Sequence, residues 1–328
     1  MKIFIYSFRE FDEKEIFDEL KEKYGFEYGF SAEYPSLENA FLAKGYDAIS
    51  MTPCTMNAEL LDAFHALGVK YIAARSIGYD HIDIAHAQKL GMGVSHVAYD
   101  PDTVADYAIL LMLMGCRKMG YILERSKIQD YSLRGKLGRD IGDCTIGIIG
   151  AGKIGKTVIR HLSAFESRIL AYDLYPDEAM KKYCSYVSLD ELISQSDIIS
   201  IHAPASKENY HLLDRERFEK MKQDVMLINT ARGTLIDTDA LIANLVSGKV
   251  SFAGLDVLEK EDGLYYYNRM GDCIDNVQMA QLRAFPNVVL TPHTAFYTKK
   301  VVYSMAENVV KCAFDMQNKK ENPLINIY

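Results

Sequence analysis

The chain has 328 residues, long for a single hydrophobic core, so two domains are expected. Hydrophobic residues make up 49% and charged residues 25%, the balance of an ordinary folded protein. Lys and Arg total 37 against 45 Asp and Glu, and the net charge of -8 argues against a general nucleic-acid surface or an anionic-membrane binder, while leaving room for a local basic pocket.

Strand-like and helix-like segments alternate from the N-terminus. Lys2–Tyr6 reads as a strand and Asp12–Lys23 as a charged amphipathic helix. Tyr46–Met51 is an apolar run, Ala58–Leu67 a helix and Val69–Ala73 a strand. Ile82–Leu90 is a helix ended by Gly91, and Gly93–His96 a strand. Such alternation predicts a parallel sheet with helices on its faces. Asp100-Pro101-Asp102 breaks the pattern, and Asp102 or Thr103 can cap the apolar helix Val104–Arg117. After the turn-rich, basic stretch Gly135–Gly142, the run Cys144–Ile149 is almost uniformly apolar, as a central parallel strand is. A second strand–helix series continues to about Thr291. Pro292 ends it, and one more helix, about Lys299–Gln317, closes the tail. Sequence leaves open which domain that helix packs on.

Strand Cys144–Ile149 leads into Gly150-Ala151-Gly152-Lys153-Ile154-Gly155 and then helix-forming residues 156–164. This is G-x-G-x-x-G in the context it requires. Gly150 permits the turn, Gly152 lets backbone approach a pyrophosphate, and Gly155 lets helix and strand pack closely. The helix N-terminus offers N–H groups and a positive dipole end to phosphates, and Lys153 and Ile154 are counted with the glycines as cofactor-binding. A second strand, Arg168–Tyr172, ends in Asp173. An acid there accepts from ribose hydroxyls and repels a 2′-phosphate, which favours NAD over NADP.

Further strands end in residues able to do chemistry. Ile198–Ile201 leads to His202-Ala203-Pro204, and Leu227–Asn229 to Thr230-Ala231-Arg232-Gly233. Ser251–Leu255 leads to Asp256, and Val288–Leu290 to Thr291-Pro292-His293. Strand C-termini line the ligand crevice of a doubly wound sheet, so Arg232, Asp256 and His293 should face one crevice. Reduction of a 2-oxo acid needs a cation for the carboxylate and oxo group, a proton donor, and a partner that keeps the donor charged. Arg232 suits the first role through its planar fork. His293 suits the second because it exchanges a proton near neutral pH. Glu259, Glu261 and Asp256 are the candidate carboxylates, and the pattern does not choose among them.

At these residues the chain resembles the D-specific 2-hydroxyacid dehydrogenase family. The likeness runs through Ile148–Gly155 with Asp173, Asn229–Asp237, Gly254–Glu261 and Thr291–Ala295, and covers nearly the whole chain. It implies Arg232 as the substrate-binding arginine, His293 as the acid/base, Glu261 as its partner, and Asp256 beside the nicotinamide. His202, Pro204, Thr230 and Ala231 join the implied NAD site. The implied fold is α/β with two doubly wound domains: a Rossmann NAD-binding domain, 102–297, inserted into a flavodoxin-like substrate domain, 1–101 with 298–328. Arg75–Asp83 resembles the family loop whose N–H groups hold the substrate carboxylate, here at Ile77 and Gly78. Ala98–Tyr107 and His293–Thr298 resemble segments of the family's D-lactate dehydrogenases, including the vancomycin-resistance type, with Tyr99 at the aromatic position and Phe296 as a wall of the side-chain pocket. Arg9 matches an N-terminal arginine of that group. Asp100 stands where a serine is more usual, and Met51–Asn57 matches no single substrate class.

The leading expectation is therefore pyruvate reduction to D-lactate. A larger 2-oxo acid such as 2-oxoisocaproate or phenylpyruvate is the alternative within the family, and an NAD-binding redox-sensing regulator the alternative outside it. Cys54, Cys116, Cys144, Cys184, Cys273 and Cys312 form no C-x-x-C pair and have no zinc-ligand spacing, so reduced thiols, no metal and a cytoplasmic location are expected. No run approaches a membrane span or a signal segment. Val104–Arg117 is a candidate homodimer surface, and a two-domain enzyme of this kind is expected to close on its ligands.

Overall fold

A computed structural model describes residues 1–261 and 263–327. It opens with β1 (Lys2–Ile5), α1 (Glu10–Tyr24), β2 (Glu27–Phe30), β3 (Ala48–Met51), α2 (Ala58–Ala66), β4 (Tyr71–Ala74), α3 (Ile84–Lys89) and β5 (Gly93–Ser95). The chain continues through α4 (Asp102–Cys116), α5 (Met119–Lys127), β6 (Thr145–Ile149), α6 (Lys153–Leu162), β7 (Arg168–Tyr172) and β8 (Ser185–Tyr186). Next come α7 (Leu189–Gln195), β9 (Ile198–Ile201), α8 (Arg215–Lys220), β10 (Val225–Asn229), α9 (Thr238–Val246), β11 (Val250–Leu255), α10 (Val277–Ala284) and β12 (Val288–Leu290). It ends with α11 (Lys299–Gln317) and β13 (Ile325–Ile327).

The chain forms two compact units, Met1–Asp100 with Tyr297–Tyr328, and Pro101–Phe296. The first unit carries a six-stranded sheet in the order β13-β5-β4-β3-β1-β2. Strands β1 to β5 run parallel, and β13 joins β5 antiparallel. The second carries a seven-stranded parallel sheet in the order β12-β11-β10-β9-β6-β7-β8. Strand order reverses between β6 and β9, the switch point at which doubly wound sheets bind ligands. Helix α11 packs on α1, β4 and β5, which assigns the tail to the first unit.

Polar side chains start most helices by accepting from a backbone N–H three residues on: Asn57 for α2, Ser188 for α7, Asp214 for α8, Asp237 for α9, Asn276 for α10 and Thr298 for α11. Helix α4 departs from expectation. Pro101 stands at its N-cap and no side chain caps it, so Asp102 is the first helical residue, where its charge favours the positive helix end. Three elements leave no sequence period to follow. Strands β2 and β13 are short sheet edges. Helix α5 buries none of its residues, so it shows no apolar stripe against a core of its own chain.

Arg75, at the end of β4, is the largest fully buried side chain of the first unit. Its guanidinium donates to the carbonyls of Tyr6 and Ser7 at 2.9 Å and pairs with the buried Glu13 at 3.2 Å. Glu13 also takes the Arg9 backbone N–H at 2.8 Å. This network joins α1 and the end of β1 to the segment that leads into Ser76–Gly78. Removing one partner of a buried pair strands the other charge, at a cost of about 3–5 kcal/mol. Glu13→Gln should therefore lower the first urea-unfolding midpoint markedly, and a midpoint equal to that of the parent chain would show that the pair adds nothing.

Candidate functional site

The turn after β6 is built for backbone approach. Gly150 sits at φ +92°, and a Cβ there would meet Ala203 N at 2.7 Å. A Cβ on Gly155 would collide with the Gly150 carbonyl, so helix α6 can pack this tightly only with glycine. Gly152 has nothing within 4 Å of such a Cβ: the space beside it, at the N-terminus of α6 formed by Lys153 and Ile154, is open. Helix α6 starts three residues before the expected stretch, which brings its N–H groups directly onto the glycine turn. Asp173 ends β7, accepting from Ala151 N at 2.6 Å and Tyr175 N at 2.8 Å, so its carboxylate is fixed beside the turn.

Other strand ends complete this edge. Ser200 Oγ and His202 Nε2 share a hydrogen bond of 2.9 Å, and burial pushes the His202 pKa down to about 4. The ring is therefore neutral at pH 7. The Pro204 carbonyl accepts from Asn209 Nδ2 at 2.7 Å. Thr230 follows β10, and its Oγ1 is buried with no hydrogen-bond partner among the described residues. An orphaned buried hydroxyl is costly unless something else satisfies it. The open space at Gly152, the N–H groups of α6, the acid at Asp173 and the orphan at Thr230 together fit a dinucleotide.

Asn229 shapes the next turn. Its Oδ1 accepts from Ala231 N at 3.0 Å and its Nδ2 donates to the Arg232 carbonyl at 2.8 Å. Arg232 is half-buried, with Nη1 donating to the Ala231 carbonyl at 2.8 Å. At Gly233 an added Cβ would collide with the Leu258 carbonyl. Glycine there lets the Arg232 turn press against the segment leading to Glu261.

Asp256, fully buried at the end of β11, accepts from Thr291 Oγ1 at 2.6 Å and from the backbone N–H groups of Thr294 and Ala295 at 2.9 Å. Its own carbonyl takes His293 N at 2.8 Å. The turn so formed holds His293 at φ +52°, a conformation costing on the order of 1–3 kcal/mol for a residue with a side chain. His293 Nδ1 meets Glu261 Oε1 at 2.6 Å, both side chains being 21% exposed. The other Glu261 oxygen accepts from Leu258 N at 2.8 Å. Glu259 turns elsewhere, to Thr238 Oγ1 at 2.6 Å and His211 Nε2 at 2.8 Å. Of the three acids in the loop, Glu261 reaches the imidazole, while Asp256 holds the turn that carries it.

Sequence spacing gave no sign of three neighbours. Tyr266 Oη donates to the His293 carbonyl at 3.0 Å, and its ring lies 6.2 Å from the imidazole and 6.4 Å from Phe296. The buried Tyr265 hydroxyl has no partner among the described residues, and burial, then the charges of Glu261 and Asp256, raise its pKa. Thr291 supplies the side-chain donor to Asp256. In the first unit, Ser76 Oγ donates to the Gly78 carbonyl at 2.6 Å and leaves Ile77 exposed at the turn. Tyr99 is half-buried.

Residues 109–295 match the NAD-binding domain of the D-isomer specific 2-hydroxyacid dehydrogenases. The chain is 40% identical over 310 residues to an aromatic 2-oxoacid reductase of Clostridium sporogenes, covering 94% of this chain and 93% of the relative. It is 36% identical over 326 residues to the D-lactate dehydrogenase of Escherichia coli K12, covering 98% and 99%. The solved structure of a D-2-hydroxyisocaproate dehydrogenase superposes with a TM-score of 0.87 at 33% identity, over 99% of each chain. The sheet order and strand-end residues described above, taken with these matches, show that the chain belongs to the family of NAD-dependent, D-isomer specific 2-hydroxyacid dehydrogenases.

Proposed function

We propose that the protein reduces pyruvate to D-lactate at the strand ends carrying Arg232 and His293, with Glu261 as partner of the histidine. The observation that carries this reading is the 2.6 Å bond between His293 Nδ1 and Glu261. A carboxylate on Nδ1 fixes the N–H tautomer there, so Nε2 is the atom that gives or takes the substrate proton. When bound, the cofactor would supply the hydride as NADH or accept it as NAD at its nicotinamide. Arg232 holds the substrate carboxylate and polarises the oxo oxygen, drawing charge toward it. As carbon 2 becomes tetrahedral, His293 Nε2–H protonates that oxygen, leaving a neutral imidazole; oxidation runs the same transfers backwards. The N–H groups of Ile77 and Gly78 and the ring of Tyr99 are assigned to substrate binding. Phe296 is assigned to the side-chain wall, and Gly150, Gly152, Lys153, Ile154, Gly155, Asp173, His202, Pro204, Thr230, Ala231 and Asp256 to NAD.

A second reading has a specific observation in its favour. The aromatic rings of Tyr266 and Phe296 flank His293, and a relative 40% identical is named for aromatic 2-oxo acids. A substrate such as phenylpyruvate, or the branched 2-oxoisocaproate, suits such a wall. The difference between these substrates and pyruvate is pocket volume, not chemistry.

We also propose a homodimer and a cytoplasmic location. Helix α4 turns most of its apolar residues into its own unit, leaving Leu110 outward. The adjoining segment exposes Leu123, Ile128, Tyr131, Leu133 and Leu137, an apolar surface that a second copy would cover. A single-chain mass by light scattering would remove the dimer. None of the six cysteines is in a disulfide, which agrees with a reducing compartment. No helix among the described residues is long and apolar enough to cross a membrane.

An NADH-oxidation assay across pyruvate, 2-oxoisocaproate and phenylpyruvate, with chiral analysis of product, tests the function. A D-hydroxy acid product with pyruvate preferred is expected. A tenfold preference for phenylpyruvate would replace the lactate reading by the aromatic one, and tight NADH binding without turnover would favour a redox-sensing regulator. His293→Ala should lower kcat by about 10²-fold or more. Glu261→Gln should lower kcat by about tenfold or more, because Nδ1 loses the carboxylate that fixes the imidazole. An unchanged kcat would remove Glu261 as partner. Gly152→Ala, compatible with φ -72°, should leave the cofactor-free melting temperature unchanged while raising the Kd for NADH about tenfold or more. An unchanged Kd would mean that the cofactor does not approach this turn.

A further inference from the structure

The loop that begins at Glu261 comes back five residues later to the backbone of the same histidine that Glu261 holds by its side chain. Tyr266 Oη donates to the His293 carbonyl at 3.0 Å. The rings of Tyr266, His293 and Phe296 stand 6.2 to 6.4 Å apart, with Phe296 edge-on to both of the others. Two residues with side chains occupy the left-handed region here, His293 at φ +52° and Tyr266 at φ +70°, and one hydrogen bond joins them. Conformations of this kind persist where surrounding contacts over-determine them, and they gather at functional sites.

Every polar part of His293 on the inner side is thereby held. Its N–H bonds the carbonyl of Asp256, its Nδ1 bonds Glu261, and its carbonyl bonds Tyr266. The segment carrying Tyr266 is braced within itself. Arg269 bonds the Gly263 carbonyl, pairs with Asp272 at 3.3 Å and stacks 5.2 Å from the Tyr267 ring. A tyrosine presented by a braced turn, rather than by a loose one, can fix what it touches.

We propose, resting on the dehydrogenase reading above, that Tyr266 is a positioning residue for His293. Its hydroxyl clasps the histidine carbonyl and its ring borders the imidazole, so that Nδ1 stays on Glu261 and Nε2 keeps one direction. Glu261 and Tyr266 are then the two ends of one clasp, acting on side chain and backbone of a single residue. The hydroxyl takes no proton in the reaction; it acts through the histidine. Among the described residues, the charged and titratable groups facing this histidine are Glu261 and Tyr266 on the loop, and Asp256 at the end of β11, with Tyr265 beside the two acids.

The test is Tyr266→Phe, which deletes the hydroxyl and keeps the ring, with Tyr266→Leu as a second variant that removes both. The expected result for Tyr266→Phe is a fall in kcat of about tenfold, with KM for the 2-oxo acid and Kd for NADH within about twofold of the parent. Histidine labelled at the imidazole, with the His293 signal assigned by its loss in His293→Gln, shows by NMR, without substrate or turnover, whether the Nδ1–H signal of the bond to Glu261 moves; it is expected to move or broaden in both variants. A kcat and an Nδ1–H signal that match the parent in both variants would overturn the proposal, as would equal losses in kcat, KM and NADH binding, which mark general damage to the fold. A parent enzyme inactive on every 2-oxo acid would defeat the dehydrogenase reading instead, and the NMR signal would still decide whether Tyr266 positions the histidine.

Discussion

The buried carboxylate of Asp256 is the constraint from which the rest of the site follows. A charge with no access to water is tolerated only when donors surround it. Here they come from Thr291 Oγ1 and the backbone of Thr294 and Ala295. The chain can deliver those three donors only by turning sharply after β12, and that turn forces His293 into the left-handed region. Strands β11 and β12 are parallel neighbours with Leu255 beside Leu290, so Asp256 and Thr291 leave the sheet side by side. The carboxylate and the turn it organises are thus placed by sheet register before any catalytic group is considered.

The same register logic extends across the sheet. Strands β6, β7, β9, β10, β11 and β12 all end on one edge because they are parallel, and each contributes one element: the glycine turn, Asp173, His202, Thr230 with Arg232, Asp256, and His293. Close packing brings the catalytic candidates nearer than register alone would. Gly233 lies against the backbone of Leu258, and that contact carries the Arg232 turn up to the loop of Glu261. Within that loop, Lys260 sits at φ +57° and separates two acids with different partners. Glu259 braces His211 and Thr238, and Glu261 braces His293. Chemistry and architecture are divided between residues two positions apart.

The first unit shows a related economy. Its substrate-side turn at Ser76–Gly78 follows directly on Arg75, whose buried guanidinium ties the ends of β1 and β4 to Glu13 of α1. Flexible polar loops become precise only when something rigid stands behind them. In both units that backing is a buried charge held by several partners: Asp256 behind the histidine, and Arg75 with Glu13 behind the turn.

Local patterns in the sequence were enough for two strand–helix series with parallel sheets, the glycine turn, the acid at 173, and Arg232 and His293 at strand ends: hydrophobic period, glycine spacing, and the rule that parallel strands share a C-terminal edge. The nesting of one doubly wound domain in another was implied by the family resemblance. Those patterns did not choose among Glu259, Glu261 and Asp256 or place the last helix, both of which came only from the resemblance, and they did not foresee β2, α5 and β13. Nor did they point to Tyr266, or give Thr291 a role. Those outcomes depend on which side chains meet across the fold. Whether an acid faces His293 or His211 is decided by a left-handed residue between the two candidates, and whether a helix belongs to one core or another is decided by packing. Neither leaves a period in the chain, and the contacts that fix them are seen only in the tertiary structure.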